Sequence, residues 1–589
     1  MMVRLLKGRD GVAYVYTVEG YRDENGKVKQ RILVKHGRLD VLTADDPDAL
    51  AKLKAEAKRA TVEKKALRGM IGYDTGLPAD GGQPRNLGWL AVDATLARLG
   101  VVDAVTQAGA TRTGREAWRV DVGAVLRALV AARVMWPCSK RATAAKSGRL
   151  FAAHPLDLDQ TYRALDHLGE LSDVIQQAAS AGLGRDASAV TTVDYDVTNF
   201  FFHIDTPDDV DTTTTTGRGQ ASRQRGHSKE NRVEPIIQLG LFLDNQGIPV
   251  SYRTFHGNTP DTSTLATALD EFTTLFHPGR IVVVADKAMN TTPNIAHLSD
   301  RGDGWIVSAS ARHATRRLQA WVLDPTGWED HDGWTTKSMT TDRPIPYILA
   351  DGTRITVTVP EKLVAHWSPD AAARDRATRA EMLTRARKLA DNPALFTAST
   401  RTGVKKYVTE NRIDPATGEI LDPTTIHLDV DQARADREAL FDGYQMIRTS
   451  ETSLADTVIV DRYHQLWRIE QSFRVSKTDL ATRPVFVWTP AHIEAHFLTC
   501  FLALLITRVW QHWTGLPSGQ LLDGFRHLDA IDCGQGVYRI CRPDVWDTID
   551  QATGVPLNQS WATITQLNAW RRALTKTLKT ANLTTNQNQ

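Results

Sequence analysis

The spacing of apolar and polar positions changes period several times along the chain, and each change predicts an element. Val12 to Tyr21 is rich in Val, Tyr and Thr, Asp23 to Gly26 supplies turn chemistry, and Val28 to His36 resumes the pattern, which together predict a β-hairpin. From Asp48 to Arg68 good helix formers take over, with lysines at the exposed positions. Thr75 to Pro84 is rich in Gly and Pro and reads as a linker. Leu87 to Gly100, Glu116 to Trp136 and Asp159 to Ala181 then carry a helical period, with Leu126, Leu129, Val130, Val134 and Met135 as a bundle core.

At Ser188 the pattern becomes that of strands. Val190 to His203, Pro235 to Leu243 and Pro249 to Phe255 are apolar runs, the last two split by the turn Asp244 to Gly247, and their short connections predict antiparallel pairing. A helix at Ser263 to Leu275 precedes the run Arg280 to Ala285, and Trp305 to Ala309 adds another strand, an α/β order. From about Ala314 to Asp442 the pattern is irregular, with strand-like Pro344 to Ala350 and Arg354 to Val359, a charged helix at Pro369 to Ala390, and Trp321, Trp328, Trp334 and Trp367. This stretch reads as an insertion. Helices return at Ala455 to Leu480 and Pro490 to Trp513, and a mixed segment with a polar Thr/Asn/Gln tail follows.

Composition adds little until it is resolved along the chain. The 589 residues are 42% hydrophobic and 24% charged, which places the protein among folded, multidomain chains. The longest apolar run, Phe497 to Ile506, is shorter than the roughly 20 residues that span a bilayer, and the N-terminus lacks an apolar signal region, so a soluble, cytoplasmic protein without a membrane partner is expected. Cys138, Cys500, Cys533 and Cys541 form no CxxC pair, which supports neither a disulfide scaffold nor a cysteine zinc site. The formal net charge of +2 argues for no partner, yet residues 1 to 70 hold 16 Lys and Arg against 10 Asp and Glu, and residues 571 to 589 hold four bases and no acid. The loop Gly217 to Arg232 adds Arg218, Arg223, Arg225, Lys229 and Arg232 against Glu230. Three basic stretches together lean towards nucleic acid.

Candidate chemistry centres on acids. Asp196 lies within an apolar strand with Asp194 on the same face, and Asp286 ends the run Ile281 to Ala285. Carboxylates in such places need a cation, a partner or a hydrogen bond to offset desolvation, and Mg²⁺ takes hard oxygen ligands of this kind. Each also fits a turn or N-cap role. In DRYHQLWRIEQSFRVSK, Tyr463, Glu470 and Lys477 recur every seven residues on one helical stripe and Arg474 follows Glu470 by four; a structural helix with a surface ion pair fits the same spacing. The sequence HIEAH at His492 to His496 lacks the adjacent glutamate of the HExxH zinc motif.

Several motifs resemble those of bacterial insertion-sequence DDE transposases of the Tyr, Arg, Glu, Lys signature branch. YDVTNFFF at Tyr195 to Phe202 is similar to the first-aspartate strand, and Gly226 to Asp261 to the strands that follow. VVVADKAMN at Val282 to Asn290 resembles the second-aspartate strand end, and Arg462 to Trp488 the glutamate helix. GRLD at Gly37 to Asp40 and PCSKRAT at Pro137 to Thr143 are also similar. The resemblance implies an RNase H-like catalytic core, a mixed five-stranded sheet with helices, interrupted by a mainly β insertion.

It further implies a metal-binding triad of Asp196, Asp286 and Glu470 with Asp194 as the rival for Asp196, and DNA contacts by Tyr463 and Lys477, to which Arg474, Lys229 and Arg232 are added as candidates. The signature arginine falls on Leu466, Arg468 being rotated away from that face. Two Mg²⁺ ions, replaceable by Mn²⁺, are expected to serve strand cleavage and strand transfer on double-stranded DNA, both at terminal inverted repeats and at the target, with a homodimer joining two ends at the nucleoid. The insertion tryptophans can stack on an unpaired base or serve as core. A non-cleaving, repressor-like DNA-binding derivative of the same fold is the alternative. The expected units are 1–75, an N-terminal hairpin and basic helix; 76–187, helical and DNA-binding; 188–313, first part of the core; 314–450, the insertion; 451–515, second part of the core; and 516–589, a C-terminal segment.

Overall fold

The computed structural model describes residues 2–8, 11–22, 28–58, 61, 83–114, 117–184, 192–210, 219–348, 352–391, 403–411, 427–534 and 536–581. The expected hairpin is β2 (Ala13–Arg22) and β3 (Val28–Arg38), and β1 (Met2–Lys7) adds a third antiparallel strand beside β2. A helical stretch at 49–58 begins where the lysine-rich helix was expected; its continuation and most of the expected linker lie outside the described residues.

The helical unit opens with the short β4 (Arg85–Asn86) and contains α1 (Trp89–Arg98), α2 (Val122–Met135), α3 (Lys140–Lys146), α4 (Leu158–Glu170) and α5 (Ser172–Gly182). The single helix expected from Asp159 to Ala181 is thus two, broken at Leu171. A further helix, Val101–Ala110, starts directly after Gly100, whose left-handed φ of 68° a side chain would strain. The bundle closes on the long α9 (Pro490–Thr514), which starts at Thr489 with Pro490 in the first turn and stops at Gly515. α9 is the one helix among the described residues long and apolar enough to cross a membrane, and it is the buried core helix of the molecule.

The central sheet has nine strands in the order β10-β11-β12-β15-β9-β8-β5-β6-β7. The expected antiparallel trio is β5 (Thr192–Phe201), β6 (Ile236–Asp244) and β7 (Pro249–His256), with α6 (Thr264–Phe276) leading to β8 (Val282–Ala285) and β9 (Gly304–Ala309), both parallel to β5. The expectation of a five-stranded sheet interrupted by a separate mainly β insertion needs correction. β10 (Glu329–Asp330), the long hairpin β11 (Thr335–Ile348) and β12 (Arg354–Trp367), and the returning β15 (Tyr444–Thr449) extend the same sheet from the edge of β9. An exposed strand edge is a template for pairing, and the inserted chain takes it. The insertion also carries helices at Arg316–Leu323, Pro369–Asp391 and Gln432–Ala439 and the separate pair β13 (Val408–Asn411) and β14 (His427–Val430).

A buried ion network pins this extension. Glu361 on β12 is fully buried, 3.2 Å from Arg343 of β11 and 3.1 Å from Arg448 of β15. Arg343 also donates to Asn290 Oδ1 at 3.0 Å, just after the β8 strand end.

The expected helix Ala455 to Leu480 is α7 (Asp456–His464) and α8 (Trp467–Lys477). The break at Gln465–Leu466 tightens into i→i−3 bonds, Leu466 N to Tyr463 O at 3.1 Å and Arg468 N to Gln465 O at 3.0 Å. No Pro or Gly forces it. α7 buries Ile459 and Val460 with Val284, Ile306 and Ile447, whereas α8 buries Ile469 and Phe473 on the β5–β6 side, and Leu466 touches both clusters. Two differently oriented stretches of a twisted sheet thus require two helices. The C-terminal strands β16 (Asp529–Asp532), β17 (Val537–Cys541) and β18 (Trp561–Thr563) form a sheet with β4 in the order β18-β17-β16-β4, and α10 (Ile564–Thr580) packs on α1, where Arg571 meets Asp93 at 2.9 Å.

Candidate active site

Alternation along β5 decides what its acids face. Val193, Tyr195 and Val197 enter the cluster with α6 and β8, so Asp194, Asp196, Thr198 and Phe200 lie on the opposite face, the one covered by α8 and α9. β5 and β8 run parallel with Tyr195 paired to Ala285. One residue further, Asp196 and Asp286 therefore stand at the same level on neighbouring strands. Asp286 leaves β8 as the N-cap of a 3₁₀ turn, accepting from Ala288 N at 2.8 Å.

A third acid joins them. Asp261 starts the 3₁₀ turn after β7, and Lys229 reaches in with Nζ 3.8 Å from Asp261 Oδ2 while donating to the Val197 carbonyl. Burial pushes the Asp196 carboxyl up to about 6; Lys229 opposes this, and the charges of Asp286 and Asp261 add to it. Asp261 is raised for the same reasons, burial first, with Lys229 again opposing. The cluster is a negative site with Lys229 as the main cation against Asp196. Asp261 was not singled out in the sequence; like Asp286 it opens a 3₁₀ turn that follows a strand.

Glu470 lies exposed in the first turn of α8. Because the helix breaks before it, the seven-residue stripe from Tyr463 to Glu470 is not one helical face, a correction to the spacing argument. Tyr463, at the end of α7, still feels both Asp286 and Glu470, and burial raises its hydroxyl while a bond with Ser308 opposes that. Asp196, Asp286 and Asp261 thus share one electrostatic cluster, and Glu470 borders it through Tyr463. Among the described residues no three His, Cys, Asp or Glu groups lie close enough together to hold a metal ion.

Asp194 has different surroundings. It is buried, with one carboxylate oxygen lacking a partner among the described residues, and burial pushes it up to about 7 against Arg468 and Arg462, while Asp244 adds to the rise. Arg468 also donates to Asn245 O at 2.6 Å, and Arg462 to Thr192 Oγ1 at 3.0 Å. These two arginines flank the α7–α8 break, so Asp194 and the β6–β7 turn locate α8 on the sheet.

The expected DNA contacts are distributed unevenly. Arg474 is exposed on α8. Lys477 is drawn inward to Glu230 at 2.8 Å, which Arg483 shares at 2.5 Å, and burial lowers its ammonium. Arg232 lies 3.9 Å above the Phe201 ring and 3.2 Å from Glu234, and Lys229 is turned into the carboxylates. The described part of the basic loop is therefore largely paired within the protein, Arg223 with Asp208 included. The four insertion tryptophans are half-buried, Trp321 and Trp328 in one apolar cluster and Trp334 in another, with Trp367 donating to Asp442 O at 3.0 Å. Among the described residues the exposed large aromatics are instead Trp467, Phe486 and Trp488, around α8, which lie within the Arg462 to Trp488 motif but were not singled out there.

In HIEAH, Glu494 is buried and accepts from Ser172, Tyr252 and Thr254 at 2.8, 2.6 and 3.0 Å, a structural network between α5, β7 and α9.

No curated protein matches. The structure of a piggyBac transposase synaptic complex with hairpin DNA is similar over 74% of this chain and 79% of that one, at 9% identity and a TM-score of 0.34. The profile of the IS1634 family transposase N-terminal domain matches residues 4–66. The profile of the transposase DDE domain matches residues 208–506, which include Asp261, Asp286 and Glu470 and begin just after β5. The chain belongs to the insertion-sequence DDE transposases.

Proposed function

We propose that this transposase binds the terminal inverted repeats of its insertion sequence, cleaves the DNA strands at each end to release the element, and joins the freed 3′-hydroxyls to target DNA in a cut-and-paste reaction. The observation that carries this reading is the level placement of Asp196 and Asp286 on parallel β5 and β8, beside Asp261 and Lys229. Hard carboxylate oxygens and an excess of negative charge suit Mg²⁺ or Mn²⁺; Asp196 and Asp286 would hold such ions, with Glu470 as the third ligand only once α8 brings it against them. When bound, they supply charge neutralisation to the attacking and leaving oxygens of an in-line displacement. Lys229 neutralises part of the carboxylate charge beforehand, Tyr463 lies within electrostatic reach of both Asp286 and Glu470, and Arg462 and Arg468 fix the helix that presents Glu470. The order β7-β6-β5-β8-β9 supports an RNase H-like core within the larger sheet. The exposed Arg474, Trp467 and Trp488 provide a charged and aromatic surface suited to a DNA end. A homodimer holding two ends on the nucleoid follows from the need to join both in one event.

The test is strand nicking of element-end duplexes by wild type and Glu470→Gln, with and without Mg²⁺. Loss of an outer-shell partner typically costs about 10- to 100-fold, so loss of a ligand is expected to exceed that. A Glu470→Gln variant that nicks at the wild-type rate removes Glu470 from the site. A wild type that binds ends but never nicks them leaves only a DNA-binding function.

A further inference from the structure

The α2–α3 turn and the chain after α8 enclose a cavity of about 110 Å³ lined by Arg133, Cys138, Lys140, Arg483, Phe486 and His496. Arg133, Lys140 and His496 are 6%, 4% and 4% exposed, so the cationic groups are part of the interior, whereas Phe486 at the rim is half exposed. Buried cations are normally paired with acids. Here the acids are missing from the inner wall. Arg133 donates to the carbonyls of Leu480 at 3.3 Å and Ala481 at 3.0 Å, and neither it nor Lys140 has a carboxylate partner among the described residues.

Lys140 uses one of its three donors among the described residues. His496 Nε2 lies 2.9 Å from the Thr482 carbonyl, which can only accept, so that nitrogen carries the proton and Nδ1 accepts from Lys140 Nζ at 3.4 Å. An ammonium has three donors, and one long bond to a neutral imidazole leaves two of them without a partner among the described residues. At about 30 Å³ per liquid water, the cavity holds three or four waters or one tetrahedral oxyanion.

We infer that this cavity binds a single phosphate group, and that in the working protein the phosphate belongs to the backbone of the DNA end. The first half rests on the cavity alone; the second rests on the transposase reading. Arg483 on the outer wall shares Glu230 with Lys477, and Glu230 adjoins Lys229 of the carboxylate cluster, so the cavity and the candidate active site are joined by two consecutive residues. Burial and the charge of Arg133 hold the Lys140 ammonium down to about 7, which a neighbouring phosphate would reverse. A strand threaded past Asp196 and Asp286 can thus set one phosphate into this cavity and fix the register of the scissile bond.

The experiment compares wild type with Lys140→Met, and with Lys140→Gln in case the first variant does not fold. Thermal midpoints are read with inorganic phosphate and with sodium chloride at matched ionic strength, and binding of element-end duplexes is titrated over a range of salt. Phosphate is expected to raise the wild-type midpoint and leave the variants unchanged. The slope of log affinity against log salt is expected to fall by about one in the variants, uniformly across DNA sequences. Equal stabilisation of wild type and variants by phosphate, with equal DNA slopes, overturns the proposal while leaving the transposase reading intact. Phosphate stabilisation lost in the variants, in a protein that binds no element-end DNA, keeps the anion site and overturns its assignment to DNA.

Discussion

Glu361→Gln tests whether the extended sheet is held together electrostatically. The wild-type carboxylate is fully buried, 3.2 Å from Arg343, 3.1 Å from Arg448 and 3.3 Å from Trp305 Nε1. Burial already lowers the Arg448 guanidinium, Glu361 supports it and Arg343 acts against it, so the two arginines tolerate each other only through the acid between them. Removing one member of a buried pair costs about 3–5 kcal/mol, and because Gln keeps an accepting oxygen the lower end, about 3 kcal/mol, is expected. Urea unfolding followed by tryptophan fluorescence measures it. Replacing Glu361, Arg343 and Arg448 together by apolar residues of similar volume is expected to recover most of the loss, since an isolated buried charge is what carries the cost. A functional consequence follows from the path Glu361–Arg343–Asn290–Ser308, because Asn290 donates to Ser308 O at 3.0 Å and Ser308 holds Tyr463. Nicking by Glu361→Gln is therefore expected to fall even at temperatures where the variant is fully folded. A stability change below about 1 kcal/mol, the worth of an exposed ion pair, would refute the reasoning.

Other expectations concern the carboxylates and the helix that carries Glu470. With metal chelated, Asp196→Asn is expected to be more stable than wild type at neutral pH by about 1–3 kcal/mol, from a carboxyl raised from 3.8 to about 6. The sign is set by the raised value: the folded state holds the proton longer, wild-type stability falls as pH rises through about 4 to 6, and the difference vanishes below the lower value; a variant no more stable than wild type at neutral pH contradicts it. In nicking assays Asp196→Asn is expected to abolish activity, whereas Asp194→Asn retains a measurable rate, because only Asp196 is level with Asp286; equal loss in both assigns Asp194 to the chemistry as well. Arg468→Met is expected to lower the nicking rate without weakening duplex binding, as it frees α8 from the Asn245 turn, and weakened binding instead would place Arg468 on the DNA.

What could be read from the chain depended on the range of the interaction. Residue periodicity and turn chemistry act locally, so the N-terminal hairpin, the antiparallel trio, the strands at Arg280 to Ala285 and Trp305 to Ala309 and the 23-residue charged helix were legible. The motifs around Asp196, Asp286 and Glu470 also led to the right family. The join of β11, β12 and β15 to the edge of β9 was not legible, because edge pairing is settled by backbone groups that any sequence offers. The division of α7 from α8 contains no breaker residue and is imposed by two apolar clusters that meet at Leu466. Asp261 and Lys229 share a site with Asp196 only because β5, β6 and β7 are neighbours, and the inward pairing of Lys477 with Glu230 spans more than 200 residues. The sequence by itself determined which segments are helix or strand and which acids are candidates. The tertiary structure alone decided which charges meet, since the desolvation that shifts Asp196 and Lys140 exists only once distant segments exclude water from around them.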